Sequence, residues 1–188
     1  MSARWVRRVV AVIDACKEFL KSELNEGDAL YAIVDSGIYD EFHDLMDMEG
    51  KENIRILLKE PYLQGYETAA PYLMLLDIDD AVTNELLHAA AGEYWLTLIV
   101  SRKSLDALAQ ELRDMIVVES EMHARHIIYR FYDPRNLTDY INIHSEEELI
   151  EFYEDIGGAL FTVDADDPGV VYAYRPRGAE MIDLKEEA

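Results

Sequence analysis

The segment from Ile127 to Arg135 reads Ile-Ile-Tyr-Arg-Phe-Tyr-Asp-Pro-Arg and concentrates charged side chains in a pattern that could do chemistry. Arg130 stands inside an apolar run typical of a strand. Asp133-Pro134 ends that run, because proline fixes its own φ and restricts the residue before it. Two guanidinium groups bracket one carboxylate, which suits bidentate hydrogen bonding within the fold or across an interface. The pattern indicates recognition rather than bond breaking.

Arg130 is predicted to lie in the middle of a strand spanning Ile127 to Phe131. A charged side chain there is either buried against a carboxylate or placed on a contact surface. We expect an internal salt bridge, with its partner one of three aspartates: Asp133, Asp35 or Asp77.

The residues that follow are the better candidates for partner contact. Arg135 lies beyond the proline and is expected on a loop. Tyr132 is a candidate interface anchor, since aromatic and arginine side chains often carry much of the binding energy. The predicted partner-binding residues are Tyr132, Asp133 and Arg135.

A metal site is an alternative interpretation of two aspartates. Asp35 and Asp77 each end a predicted strand, and ligands of open α/β sheets bind beyond the carboxyl ends of strands. Such carboxylates could hold a divalent metal for hydrolytic or phosphoryl chemistry. Asp35-Ser36-Gly37 also fits a turn, in which the aspartate accepts backbone N–H bonds, and we prefer that structural role.

Other reactive residue types are not grouped in a catalytic pattern. His123 and His126, with Glu119 or Glu121 nearby, lie on a strand-like segment where residues three apart point to opposite faces, so no metal pair is expected. Cys16 lies on the apolar stripe of a predicted helix, where a thiol is inert packing. The sequence contains no P-loop and no Gly-x-Ser-x-Gly elbow. We therefore predict no catalytic residue, no metal and no cofactor, and a protein that is not an enzyme.

The charge of the chain bears on its partners. Its 188 residues carry 39 acidic and 17 basic side chains, a net charge of −22. Such a surface repels nucleic acid and anionic membranes and attracts a basic protein, although it could equally serve solubility alone. A single cysteine excludes an internal disulfide and is typical of a reducing compartment. No run approaches the roughly 18 apolar residues of a membrane span, so we expect a cytoplasmic protein.

Strands and helices alternate along the chain from Leu30 to Phe131, which predicts an α/β fold, with mixed α+β as the alternative. Continuous apolar runs favour a mostly parallel or mixed sheet flanked by helices. After Pro134, a short helix, a capping-box helix opened by Ser145 and a hairpin predict a smaller C-terminal lobe. We expect an α/β lobe over residues 1–135 and the smaller lobe over 136–188, within one compact domain.

A family resemblance rests on four segments. They are Arg-Phe-Tyr-Asp-Pro-Arg at 130–135, Tyr-Ala-Ile-Val-Asp at 31–35, Pro-Tyr-Leu at 71–73, and Leu105, Leu108, Leu112 and Arg113. Together they resemble the adaptor-chaperone family of bacterial type VI secretion, over roughly residues 28 to 155. The residues that form its structural signature here are Tyr31, Asp35, Arg130, Phe131 and Pro134.

The resemblance implies a non-enzymatic role. Members of that family help to load a toxic effector onto the spike protein (VgrG) of the secretion machine. The expected partners are therefore an effector protein and the spike protein, with no nucleic acid and no membrane, and the oligomeric state is left open. Two alternatives from other classes are a metal-dependent hydrolase that uses the strand-end aspartates and an acidic DNA-mimic inhibitor.

Overall fold

The computed structural model describes residues 3–39, 41–49, 51–91, 93–120, 125–164, 167, 169–176 and 178–184. A main sheet of seven strands, a separate two-stranded hairpin and six α-helices make up this part of the chain. In chain order the elements are α1 (Ala3–Glu23), β1 (Ala29–Asp35), α2 (Phe42–Glu49), a 3₁₀ turn (Lys51–Asn53), β2 (Ile54–Ile56), β3 (Pro71–Leu76), α3 (Ala81–Ala90), β4 (Leu96–Ser101), α4 (Leu105–Ile116), β5 (Val117–Ser120), β6 (Arg125–Ile128), α5 (Pro134–Ile143), α6 (Glu146–Ile156), β7 (Gly158–Val163), β8 (Val170–Arg175) and β9 (Gly178–Asp183).

The main sheet has the order β2-β3-β1-β4-β7-β8-β9, and every neighbouring pair is antiparallel. The prediction of a mostly parallel or mixed sheet is therefore wrong, and the class is α+β. β3 and β4 do run in the same direction and are joined by α3, as in a βαβ unit. β1, however, lies between them and is antiparallel to both, which makes a split βαβ arrangement. In such an arrangement strands and helices alternate along the chain just as they do in a parallel sheet, so the sequence does not distinguish the two.

Burial on both faces of the central strands explains the continuous apolar runs. All six residues of β4 are buried, as are six of the seven in β1. Helix pairs α1–α3 and α4–α6 pack together beside the sheet. An antiparallel sheet covered in this way has the same apolar signature as a parallel one. None of the helices in the described ranges has the length and apolarity needed to cross a bilayer.

Local capping chemistry sets several helix ends, as the sequence predicts. Ser104 caps α4 by accepting the backbone N–H of Ala107, and Ser145 forms a capping box with Glu148 at the start of α6. α6 ends at Gly157, whose left-handed backbone (φ 66°) suits glycine. The sequence also favours Gly92 as the C-terminal cap of the helix that ends at Ala90, and this residue lies outside the described residues.

The strands after residue 136 extend the main sheet. β7 pairs with β4, and β8 and β9 follow it outward, so the predicted hairpin is confirmed and continues into a third strand. β9 was not predicted from the sequence, and none of its six residues is buried. The junction is tight: Gly158 lies opposite Ser101, and a Cβ built on it would be 1.8 Å from the carbonyl oxygen of Val100.

This contact predicts a large effect of a single methyl group. Gly158→Ala should lower the free energy of unfolding by about 3 kcal/mol, because the methyl meets rigid backbone. Gly27→Ala is the matched control: its φ of 90° disfavours alanine, but no atom lies within 4 Å of the new methyl. That control should cost only about 1 kcal/mol. Urea unfolding of the two variants makes the comparison, and equal losses would show that β4 and β7 can separate to make room.

Candidate functional site

The chain leaves β6 earlier than the sequence suggests. β6 ends at Ile128, and the backbone N–H of Tyr129 donates to the carbonyl of Ile116 at 2.7 Å as the last hydrogen bond to the preceding segment. A turn follows, closed by the bond from Asp133 N–H to the Arg130 carbonyl at 3.2 Å. The prediction of Arg130 in mid-strand is therefore wrong, since this residue lies in the turn between β6 and α5.

Asp133 and Pro134 start a helix rather than a loop. The carboxylate of Asp133 accepts the backbone N–H of Arg135 at 3.0 Å and so caps α5. Pro134 occupies the first turn, where its missing N–H costs nothing. Arg135, expected on a loop, is therefore held in the first turn of α5.

Two arginines and two aspartates meet at this point, together with Tyr132. Arg130 pairs with the carboxylate of Asp35 at the end of β1, and its Nη2 lies 3.6 Å from Oδ2 of Asp133. Arg135 binds Asp133 with both arms, Nε to Oδ1 at 2.9 Å and Nη2 to Oδ2 at 2.7 Å. We call Asp35, Arg130, Tyr132, Asp133 and Arg135 the signature cluster. The expected internal salt bridge of Arg130 is formed with Asp35 and Asp133, but not with Asp77.

The two carboxylates of the signature cluster differ in pKa. Burial raises the pKa of Asp35, and this effect outweighs the opposing charge of Arg130 and the N–H of Gly37. Burial acts in the same direction on Asp133, but hydrogen bonds and charge from Arg135, together with the charge of Arg130, lower its pKa. Both aspartate side chains are almost fully buried, 7% and 3% exposed respectively. The arginines are thus what allows both carboxylates to be ionised in this position.

The aromatic residues of the motif lie inside the protein. Tyr132 is 3% exposed, its carbonyl accepts the Thr97 hydroxyl at 2.6 Å, and burial raises the pKa of its phenol. Phe131 is 1% exposed and packs edge-on against Phe152. In this arrangement Tyr132 cannot serve as the surface anchor that the sequence suggested.

Only the arginine ends of the signature cluster reach solvent. The side chain of Arg135 is 54% exposed and that of Arg130 is 38% exposed. The guanidinium of Arg135 lies over the ring of Tyr94, 5.1 Å from its centroid. Tyr94 was not predicted from the sequence, because no spacing links it to Arg135. Of the three predicted partner-binding residues, Arg135 alone offers an accessible surface.

Residues from two other segments of the family resemblance also form hydrogen bonds within the fold. The hydroxyl of the buried Tyr31 donates to the carbonyl of Lys103 at 2.7 Å. Nε of Arg113 donates to the carbonyl of Ile56 at 2.9 Å and so joins α4 to β2. These contacts explain the residue types through folding rather than through a reaction.

The metal hypothesis fails on the sheet register. β1 and β3 pair with Leu30 opposite Leu76 and Asp35 opposite Pro71, so Asp35 and Asp77 lie at opposite ends of the sheet. Six residues of strand separate them by roughly 20 Å. Asp77 is exposed, and its carboxylate accepts the N–H of Asp79 at 2.9 Å in a local turn. The two carboxylates cannot bind one ion.

The other titratable candidates are dispersed in the described part of the chain. His126 is exposed and packs on the ring of Tyr62, with centroids 5.4 Å apart, whereas His123 and Glu121 lie outside the described residues. Burial raises the pKa of Cys16 to about 12, so this thiol stays protonated. Within the described ranges, no group of three or more His, Cys, Asp or Glu side chains is placed to hold a metal ion.

Sequence analysis also missed a surface groove beside β6. Its lining includes Tyr62 and Tyr66 on one side and His126, Ile127 and Ile128 on the other. We call this concavity the β6 groove. The apolar pair Ile127-Ile128 predicted a covered strand, but each of the two residues is 39% exposed.

The fold and the signature cluster together define an acidic α+β protein in which paired arginines and aspartates join the end of β1 to the start of α5. The chain belongs to the family described as "Domain of unknown function (DUF4123)", whose family model matches residues 30–151. This family is associated with type VI secretion adaptors. The match contains the whole signature cluster and ends within α6, so β7, β8 and β9 lie beyond it. The chain shows no significant match to a curated protein or to a solved structure.

The two arginines of the signature cluster should differ in their effect on stability. Arg130→Ala leaves the buried carboxylate of Asp35 without its counter-charge. Loss of one partner costs about 3–5 kcal/mol for a buried pair and about 1 kcal/mol for a surface pair, so we expect about 2–3 kcal/mol here. Arg135→Ala should cost less than about 1 kcal/mol, because Asp133 keeps Arg130 and its helix-cap bonds. Denaturant unfolding tests the order, and equal losses for the two variants would contradict it.

The destabilisation by Arg130→Ala should depend on pH. The pKa of Asp35 is raised in the folded protein, so its ionisation costs stability as the pH rises through that pKa, and Arg130 offsets this cost. Without Arg130, the loss should be complete near neutral pH and should shrink as acid protonates Asp35. The contribution of Asp133 has the opposite sign: it is present above the ordinary pKa of 3.8 and falls away in acid in both proteins.

Unfolding of wild type and Arg130→Ala over a pH series measures this difference. The matched control compares Asp35→Asn with the double variant Asp35→Asn/Arg130→Ala. In this pair the part of the pH dependence that comes from Asp35 should vanish, and only the smaller part through Asp133 should remain. Asp35→Asn alone should cost less than Arg130→Ala near neutral pH, because the half-exposed Arg130 keeps water and Asp133 as partners. A loss for Arg130→Ala that is constant with pH would show that Asp35 is not the group left unpaired.

Proposed function

We propose that this protein is an adaptor chaperone that binds a type VI secretion effector and promotes its delivery to the spike protein, without enzymatic turnover. The observation that carries the proposal is the family match over residues 30–151, because this family is associated with type VI secretion adaptors. The matched range includes the central strands β1, β3 and β4 and the whole signature cluster.

The state of the signature cluster supports a binding role. Both of its carboxylates are occupied by arginines, and Asp133 also caps α5. A carboxylate held in this way is a poor general base or metal ligand, because its lone pairs are already used. The cluster instead fixes the position of Arg135, whose half-exposed guanidinium over Tyr94 offers a rigid contact for a partner.

The charge of the protein supports a basic partner surface. At a net charge of −22, its field attracts cationic proteins over long range and opposes binding to nucleic acid. In this mechanism the adaptor meets its effector in the cytoplasm and covers apolar segments that would otherwise aggregate. It then presents the effector to the spike protein and takes no part in a chemical step.

Reconstitution with purified proteins tests the proposal. Co-expression of the chain with a candidate effector from its own genome should raise the soluble yield of that effector. The pair should co-elute in size-exclusion chromatography and form a larger complex when the spike protein is added. A toxin that uses another secretion route, of similar size and charge, is the control and should remain unbound.

Two results would contradict the proposal. Failure to bind every effector and spike protein encoded in the same genome would remove the adaptor role. Hydrolysis of a phosphoester by the purified chain, abolished by Asp35→Asn, would show an enzyme instead.

A further inference from the structure

The β5–β6 hairpin forms a sheet of its own, and one edge of β6 has no strand beside it among the described residues. The bond from Tyr129 N–H to the Ile116 carbonyl sets the alternation of the ladder. In antiparallel pairs, bonded and non-bonded positions alternate, so Ile127 bonds with Val118 while His126 and Ile128 direct their backbone groups to the opposite edge. His126 and Ile128 are both lining residues of the β6 groove. Two N–H donors and two carbonyl acceptors of these residues therefore point away from β5.

Several apolar side chains of the groove and of the hairpin are accessible. Among the lining residues, Tyr66 is 58% exposed and Ile127 and Ile128 are each 39% exposed; Val118, opposite Ile127 on β5, is 38% exposed. A two-stranded hairpin with exposed apolar side chains is only marginally stable by itself, and contiguous patches of this kind mark interaction sites.

The wall opposite β6 is already ordered. Turns from Lys59 to Leu63 and from Leu63 to Tyr66 are closed by backbone hydrogen bonds of 3.1 and 2.8 Å. The segment is tied to the main fold by the Ser36 hydroxyl, which donates to the carbonyl of Ala70 at 2.7 Å. Binding of a ligand in the β6 groove therefore carries no entropic cost for ordering this wall.

The charge around the β6 groove limits what can occupy it. Glu60 and Glu67, which adjoin the lining residues Pro61 and Tyr66 in sequence, are exposed, and we call them the acidic rim; Lys59, next to Glu60, is paired with Asp114. A second copy of this chain would bring another net charge of −22 to the same place, which opposes self-association. An extended segment with alternating apolar and basic side chains complements both the apolar lining and the acidic rim.

We propose that the β6 groove binds an extended, apolar and basic segment of the effector, which pairs with the open edge of β6 as a third strand. Main-chain bonds to His126 and Ile128 supply sequence-tolerant affinity, and contacts with Tyr62, Tyr66 and Ile127 select apolar side chains at alternate positions. The proposal rests on the adaptor function and assigns the cargo to a defined surface of the chain.

The test uses proline on the open edge. Proline at position 126 removes an outward N–H and adds bulk to the groove but leaves the β5–β6 bonds intact, because proline is tolerated on strand edges. His126→Pro in the full chain is compared with His126→Ala and with wild type. Ile128→Asn provides a second variant that removes apolar surface without adding charge, and Ile143→Asn is its matched control, since Ile143 is an apolar residue of α5 that is 73% exposed.

Two probes are used, a fluorescein-labelled synthetic peptide of alternating valine and lysine, and the purified effector. Fluorescence anisotropy should show peptide binding to wild type, His126→Ala and Ile143→Asn, with affinity about tenfold lower or worse for His126→Pro and Ile128→Asn. The effector should show the same order. Hydrogen exchange of the effector complex should slow at the amides of His126 and Ile128. Thermal melts establish that each variant is folded.

The outcomes separate this proposal from the adaptor function. Equal binding of either probe by all the folded variants, or no peptide binding by wild type, overturns the β6 groove as the strand site. If the effector still binds wild type and every variant equally, the adaptor function stands and the cargo lies elsewhere. If the effector binds no form of the chain, the adaptor function fails instead. A concentration-dependent dimer that is lost in His126→Pro would identify a second copy as the occupant and would also overturn the proposal.

Discussion

The structure depends on how the carboxylate of Asp35 is stabilised at the buried end of the central strand β1. Burial there disfavours the charged form, and Arg130, at the start of the turn between β6 and α5, supplies the compensating charge. Because Arg130 also approaches Asp133, the same contact positions the cap of α5, the bidentate Arg135 and the buried Tyr132. The Arg130–Asp35 ion pair thus joins the end of β1 to the turn before α5, between residues 95 positions apart in the chain.

The sequence was most informative where local chemistry decides the structure. Ser145 with Glu148 and Gly157 mark the two ends of α6, because each satisfies backbone groups only a few residues away. Asp35 and Arg130 were correctly named as possible salt-bridge partners. Strand direction could not be predicted in this way: the insertion of β1 between β3 and β4 is a long-range event, and the apolar runs of a covered antiparallel sheet match those of a parallel one.

The surface was harder to predict than the core. Tyr132 and Ile128 are both large and apolar and stand four positions apart, yet the first is 3% exposed and the second is 39% exposed. The difference arises because β5 is the one strand that pairs with β6 among the described residues, whereas the following turn contacts Thr97 on β4. Whether a strand is covered depends on elements that are distant in sequence. No local sequence pattern therefore predicts the β6 groove.

The position of β1 has a consequence for synthesis on the ribosome. β1 is made early, but its two neighbours follow some forty to seventy residues later, and β4 then waits for β7, since Leu98 pairs with Phe161. Sheets closed over such distances fold slowly, because chain entropy is lost before the contacts form. The nascent protein therefore exposes the edges of β1 until β3 and β4 have emerged, and one edge of β4 until β7 has emerged. A protein proposed to shield other chains from aggregation would itself pass through a stage at which it needs protection.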